Sequence, residues 1–173
     1  IAGSFSWSAV LPYMLAQMFG GFVGALLVYV FYVDHYRASS QNPDGMLGTF
    51  CTMPAIGHKS VNFLSELIAT FVLVFIIMAL GTSRNTASFG GSTINIGGIG
   101  AFPVTCLIMA LGMSLGGTTG YAMNPARDLS PRIAHAILPI AGKRDSGWGY
   151  SWVPVFGPLA GAALAAGVYL LVY

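Results

Sequence analysis

A chain of 173 residues that is 55% hydrophobic and 7% charged, with a mean hydropathy of +0.75, lies outside the soluble globular range, where charged residues run at roughly a quarter of positions. This is membrane-protein composition. A formal net charge of +2 without any basic run gives nucleic acid nothing to hold.

The chain opens with Ile1-Ala2-Gly3-Ser4 rather than a basic region ahead of an apolar core, so no cleavable leader is expected. A membrane-spanning helix needs about 20 mostly apolar residues, and the first qualifying window runs from Ala9 to Val33. Phe5, Trp7 and Tyr13 at its start read as interface anchors, with a core role for Tyr13 equally open. A connecting loop follows over 34–60. The second window, Val61 to Gly81, holds Glu66, the only charged residue inside any span. The polar, Gly-rich loop 82–100 reads as a flexible connection rather than a phosphate cradle. Gly97 to Gly117 is the third window and Trp152 to Tyr173 the fourth, the latter entered through Trp148, Tyr150 and Trp152 as further interface anchors. Arg37 and Lys59 in one loop against Arg84 in the next do not orient the chain. Cys51 and Cys106 lack the close spacing of a metal or redox motif. Both read as free structural thiols. His35, His58 and His135 have no metal-ligand spacing either, so no metal and no cofactor is expected.

Between the third and fourth windows lies GYAMNPARDLSPR, residues 120–132. Asn124 suits an N-cap and Pro125 the first helical position, which predicts a helix from Pro125 to about Leu138. At about 1.5 Å per residue it reaches roughly 20 Å, against a hydrocarbon core of about 30 Å. It is therefore expected to be a re-entrant half-helix, preceded by an extended segment over Gly116 to Met123. Such backbone is tolerated at membrane depth only where it is buried in protein or lines a wet cavity. The segment accordingly reads as pore-lining, with the carbonyls of Gly120, Tyr121 and Ala122 as a ladder of acceptors and the positive helix end behind them. Arg127 at that depth would cost at least ~2.5 kcal/mol, which makes it a functional candidate. Asp128 could pair with Arg127, pair with Arg132, or accept from an amide of the first helical turn.

Transporters and channels often carry internal repeats. Residues Phe19 to Leu27 align with Phe156 to Leu164, identical at five of nine positions, and each stretch contains a small-xxx-small pair, Gly20 with Gly24 and Gly157 with Gly161. Both pairs are expected to let helices approach closely. If the last span closes one repeat, the first closes another, and the chain is expected to lack about half of that first repeat.

GYAMNPARD resembles the second Asn-Pro-Ala signature of the major intrinsic proteins, and its trailing Asp128 resembles the glycerol-conducting branch, the aquaglyceroporins. Arg132, Leu47-Gly48-Thr49-Phe50, Glu66 and Val153-Pro154-Val155-Phe156-Gly157-Pro158 agree with that branch. The resemblance covers essentially the whole chain. It implies an all-α membrane protein with an aquaporin-like inverted repeat of six transmembrane helices and two re-entrant half-helices. This chain would carry four spans and the second half-helix in one channel domain, 1–173, divided into 1–33, the loop 34–60, and 61–173. It implies a selectivity filter at Tyr121 and Arg127, with Asn124 donating to the solute beside Gly120 and Ala122. Leu73 and Ile108 would form the apolar lining, while Glu66, Pro125 and Asp128 would support the pore loop. The partners implied are glycerol and other small neutral solutes, water and membrane lipid, in a homotetramer of the cell membrane. The first Asn-Pro-Ala and the filter's other aromatic do not occur in these residues, and Tyr121 stands where glycerol facilitators often have Phe.

The expected function is thus a passive channel for glycerol and similar uncharged solutes, with water. A water-selective aquaporin is the alternative within the fold. A coupled transporter is the rival from another class, although Glu66 is the only acidic group within a span to couple through. No enzyme is expected, since no Ser/His/Asp or Cys/His set has a positional argument.

Overall fold

The computed structural model describes residues 5–81 and 101–173. Ile1 to Ser4, the loop 82–100 and the first residues of the expected third span lie outside the described residues. Seven helices form in the described segments: α1 (Trp7–Phe31), α2 (Val33–Ala38), α3 (Pro43–Gly48), α4 (Lys59–Leu80), α5 (Phe102–Thr119), α6 (Pro125–Ile137) and α7 (Trp152–Val172). Four of them, α1, α4, α5 and α7, are long and apolar enough to cross a membrane. Their outer faces expose large apolar side chains such as Leu11, Phe19, Met113 and Leu171, which suits a hydrocarbon solvent rather than water. α6 has 13 residues and at roughly 20 Å is too short to cross.

The segment 34–60, expected as a plain loop, carries α2 and α3. Each is only six residues long, so neither shows an apolar period. The local signals are capping ones: Asn42 Oδ1 accepts from Gly45 N at 3.0 Å, with Pro43 in the first turn. Tyr36, Met46 and Phe50 from this segment join Ala25 of α1 and Ala134 of α6 in one apolar core. The segment is thereby folded onto the α1–α6 pair.

α4 and α7 pack along their lengths. A Cβ added to Gly157 would sit 2.8 Å from Glu66 Cβ, and one added to Gly161 would collide with the carbonyl oxygen of Leu67. The second glycine pair therefore brings two backbones together. The first behaves differently: nothing lies within 4 Å of a Cβ built on Gly20 or Gly24. The close contact of α1 is instead at Gly21, whose added Cβ would meet Ser130 Oγ of α6 at 2.6 Å. The expectation of close packing at Gly20 and Gly24 is thus corrected within this chain, because the face of α1 turned to α6 lies one residue round the helix.

Phe5, Trp7, Tyr13, Trp148 and Trp152 are exposed, whereas Tyr150 is buried and belongs to the core rather than to an interface belt. Burial raises the Tyr150 phenol pKa above its usual range, with Glu66 and Asp128 adding to the effect. The two thiols also differ, since Cys51 is buried and Cys106 exposed. Burial pushes the Cys51 thiol pKa up to about 12, which leaves it unreactive near neutral pH. Cys106 is not the buried structural thiol expected.

Candidate functional site: a cleft at the tip of the half-helix

α5 ends in a left-handed cap at Gly120, with φ of 81° and its amide donating to Gly116 O at 2.9 Å. The expected extended segment is therefore shorter than Gly116 to Met123. Gly116 to Thr119 complete the helix, and only Gly120 to Met123 leave it. Tyr121 and Met123 also take positive φ, 42° and 48°, a conformation that costs a residue with a Cβ on the order of 1–3 kcal/mol and must be held by its surroundings.

Glu66 supplies that hold. Its side chain is fully buried in α4. Oε1 accepts from Thr119 Oγ1 at 2.6 Å and Ala122 N at 2.9 Å, and Oε2 accepts from Met123 N at 2.9 Å. A carboxylate in an apolar interior needs donors for both oxygens, and a backbone leaving a helix has amides to satisfy. Each requirement meets the other here.

The Tyr121 ring rests on α5 where two glycines make room. An added Cβ would lie 2.5 Å from its Cδ1 at Gly116 and 3.1 Å from its Cζ at Gly112. The Arg127 guanidinium carbon stands 5.9 Å from the ring centroid, within cation–π range. Among the described residues the guanidinium is in none of the ion pairs.

Arg127 makes no ion pair with its neighbour Asp128, which faces the other way. Neighbouring residues on a helix do not share a face, whereas residues four apart do. Arg132 donates from Nε to Asp128 Oδ1 at 2.9 Å and from one terminal nitrogen to Oδ2 at 3.0 Å, with both side chains fully buried. Asp128 Oδ2 also accepts from Thr52 N at 2.7 Å and Thr52 Oγ1 at 2.6 Å. Arg132 further donates to Thr52 O at 2.9 Å and Ser146 O at 2.7 Å. Of the three partners open to Asp128 in the sequence, the structure selects Arg132. The one backbone amide it accepts from, Thr52 N, belongs to the segment after α3, not to the first turn of its own helix. His135 is buried against Phe50, with Nδ1 2.8 Å from Ser146 Oγ.

At the tip of α6, Asn124 Oδ1 accepts from Ala126 N at 2.9 Å while Nδ2 donates to Gln17 Oε1 at 3.0 Å. Pro125 occupies the first helical position. The partly positive N-terminus of α6 opens onto a cleft of about 540 Å³ between α1, α4, α5, α6 and α7. Tyr121, Ala122, Asn124, Pro125, Arg127, Leu73 and Ile108 all line it. Glu66 and Asp128 lie behind the lining, at the hydrogen bonds described. Gly120 is not among the lining residues and sits against Thr52. Gln17 and Thr70 also line the cleft and were not anticipated. In the sequence Gln17 is one polar residue in an apolar run, and only its contact with Asn124 singles it out.

The sequence profile described as "Major intrinsic protein" matches residues 1–169. Glycerol uptake facilitator protein 3 of Lactiplantibacillus plantarum is 50% identical over 166 residues, covering 96% of this chain and 65% of that protein. Glycerol uptake facilitator protein of Streptococcus pneumoniae is 49% identical over 171 residues, covering 99% and 68%. A protein of L. plantarum named D/L-lactic acid transporter is 44% identical over 169 residues, covering 96% and 66%. The chain thus spans about two thirds of the length of the curated relatives it matches. Among solved structures, the aquaglyceroporin from Plasmodium falciparum superposes with a TM-score of 0.77 at 26% identity, covering 99% of this chain and 67% of that one. Four apolar helices around a capped half-helix, in an arrangement shared with that channel and a sequence matched almost end to end, place this chain in the major intrinsic protein family.

Proposed function

We propose that this chain contributes its cleft to a passive, bidirectional channel for glycerol and similar small uncharged solutes, with water also passing. The observation that carries the reading is the two-sided lining. Arg127 and Asn124 stand at the positive end of α6, with Leu73 and Ile108 in the same cleft. A polyol has the same division, hydroxyls along one edge and a carbon backbone along the other. Its hydroxyls exchange water for Arg127, Asn124 and the backbone of Tyr121 and Ala122, while its carbons slide along Leu73, Ile108 and the Tyr121 ring. Pore width, lining hydrogen bonds and an electrostatic barrier together set such selectivity. The uncompensated charge of Arg127 and the helix end repel cations and protons.

In this reading Tyr121 and Arg127 are the filter, Asn124 and Ala122 bond the solute, and Gly120 shapes the turn that presents them. Glu66, Pro125 and Asp128 support the loop. Residues 1–33 are the end of the first repeat and 61–173 the second repeat of a single channel domain, joined by 34–60 and working as a homotetramer in the cell membrane. The close relatives named as glycerol uptake facilitators support glycerol as the solute. The relative named D/L-lactic acid transporter favours a second reading, passage of a small neutral hydroxy acid, whose hydroxyl and carbonyl oxygens would meet the same donors.

Stopped-flow light scattering on proteoliposomes holding the full-length protein tests this. Fast glycerol flux without dependence on a proton gradient is expected. Water flux alone would make the protein water-selective, gradient-driven uptake would make it a coupled transporter, and lactic acid outpacing glycerol at acidic pH would favour the second reading.

A further inference from the structure

The orientation of the Asn124 carboxamide follows from its neighbours. Ala126 N can only donate, so the atom 2.9 Å from it is the Asn124 oxygen. The amide nitrogen must then face the cleft, and it donates one hydrogen to Gln17 Oε1 at 3.0 Å. That contact joins residues 107 positions apart in the chain, from α1 to the cap of α6. It also orients Gln17: with Oε1 committed to Asn124, the side chain turns its Nε2 away as a second amide donor. Arg127, Asn124 and Gln17 line the same cleft, and each brings it N–H donors.

We propose that Gln17 is a positioning residue of the channel. It locks the Asn124 carboxamide with one N–H free for a passing solute, and makes the middle of the cleft an arc of donors that selects solutes by their acceptor oxygens. This rests on the channel reading above. If the contact were lost, Asn124 would keep its cap on Ala126 but swing about that bond. A polyol, which needs several hydroxyls matched at once, would lose more than water, which reorients freely.

The test compares wild type, Gln17→Leu, Gln17→Met and Gln17→Glu, each in the full-length protein reconstituted in proteoliposomes, with thermal unfolding in detergent measured alongside. Gln17→Leu is expected to lower glycerol permeability about tenfold, the scale of one hydrogen bond to a group that touches the solute. Water permeability should change far less, with the unfolding midpoint unmoved. Gln17→Met, which fills the same space without a strong acceptor, should behave as Leu does and serves if the Leu variant fails to fold. Gln17→Glu keeps an acceptor oxygen for Asn124 and should recover most of the glycerol flux. An unchanged glycerol-to-water ratio in the Leu and Met variants overturns the inference while leaving a conducting wild type, and hence the channel reading, intact. So does a Glu variant as impaired as Leu. A wild type that passes no polyol overturns both.

Discussion

The cleft has two walls built on the same sequence pattern and held in different ways. α7 meets α4 through Gly157 and Gly161, where backbone lies against backbone, and Glu66 is enclosed beside that seam. α1 carries the matching stretch with Gly20 and Gly24 at the matching positions, yet a Cβ built on either meets nothing within 4 Å in the described residues. Its contact with α6 and the residues that flank it runs through Gly21 against Ser130, the apolar core of Ala25 and Ala134, the Gln17–Asn124 hydrogen bond and a 3.3 Å bond from the Tyr29 hydroxyl to Pro139 O just past the helix. A small-xxx-small pair permits close approach, and the partner that faces it decides whether the approach happens. One wall is closed by two glycines set backbone to backbone, the other by a single glycine, an apolar core around Ala25 and Ala134, and hydrogen bonds at its two ends.

The largest break in this comparison is expected at Glu66, beside the packed seam. Glu66→Leu leaves Thr119 Oγ1, Ala122 N and Met123 N without their acceptor. At about 1–3 kcal/mol for each buried unsatisfied donor, the positive-φ turn should not survive. Flux should vanish and the unfolding midpoint fall. Glu66→Gln keeps one acceptor oxygen but turns an amide toward one of the former donors, so it should conduct at a reduced rate. An active Leu variant would sink the role given to Glu66.

Next in size is Gly161→Leu, which drives a side chain into the α4 backbone at Leu67. Overpacking of this kind costs typically 1–3 kcal/mol and more where backbone is the obstacle, and should show as a lower midpoint in detergent. The smallest effect is predicted for the matching change on the other wall. At Gly24→Leu the added Cβ has nothing within 4 Å in the described residues, so in this chain a stability within about 0.5 kcal/mol of wild type is expected, as for an uncrowded site. A loss equal to that of Gly161→Leu would show that the open face of α1 is packed by something else, and would erase the difference between the walls.

Much of the fold was legible because it is local. Twenty apolar residues in a row announce a span wherever they pack, and Asn124-Pro125 announces a helix start by capping chemistry alone. The half-helix was thus readable to within a residue of its end at Ile137. α2 and α3 were not, since six residues are too few to display a period. The seat of Tyr121 on Gly112 and Gly116 could have been noticed, because that pair has the same spacing as the two singled out, but nothing local says which ring would lie on it. The partners of Asp128 were beyond reach for a different reason. Arg132 is four residues away and was one of the three alternatives, but Thr52 is 76 positions distant, and no pattern in either stretch points to the other.

By itself, then, the sequence determined that the protein belongs in a membrane, where its spans run and where a short capped helix interrupts them. These are consequences of apolar length and of backbone groups that must be satisfied within a few residues. The tertiary structure alone decided which polar groups meet in the interior: Glu66 with the amides of Ala122 and Met123, Asp128 with Arg132 and Thr52, Asn124 with Gln17. A buried donor or acceptor away from water has to find its complement somewhere in the fold, and which one it finds depends on distances that only the packed helices set.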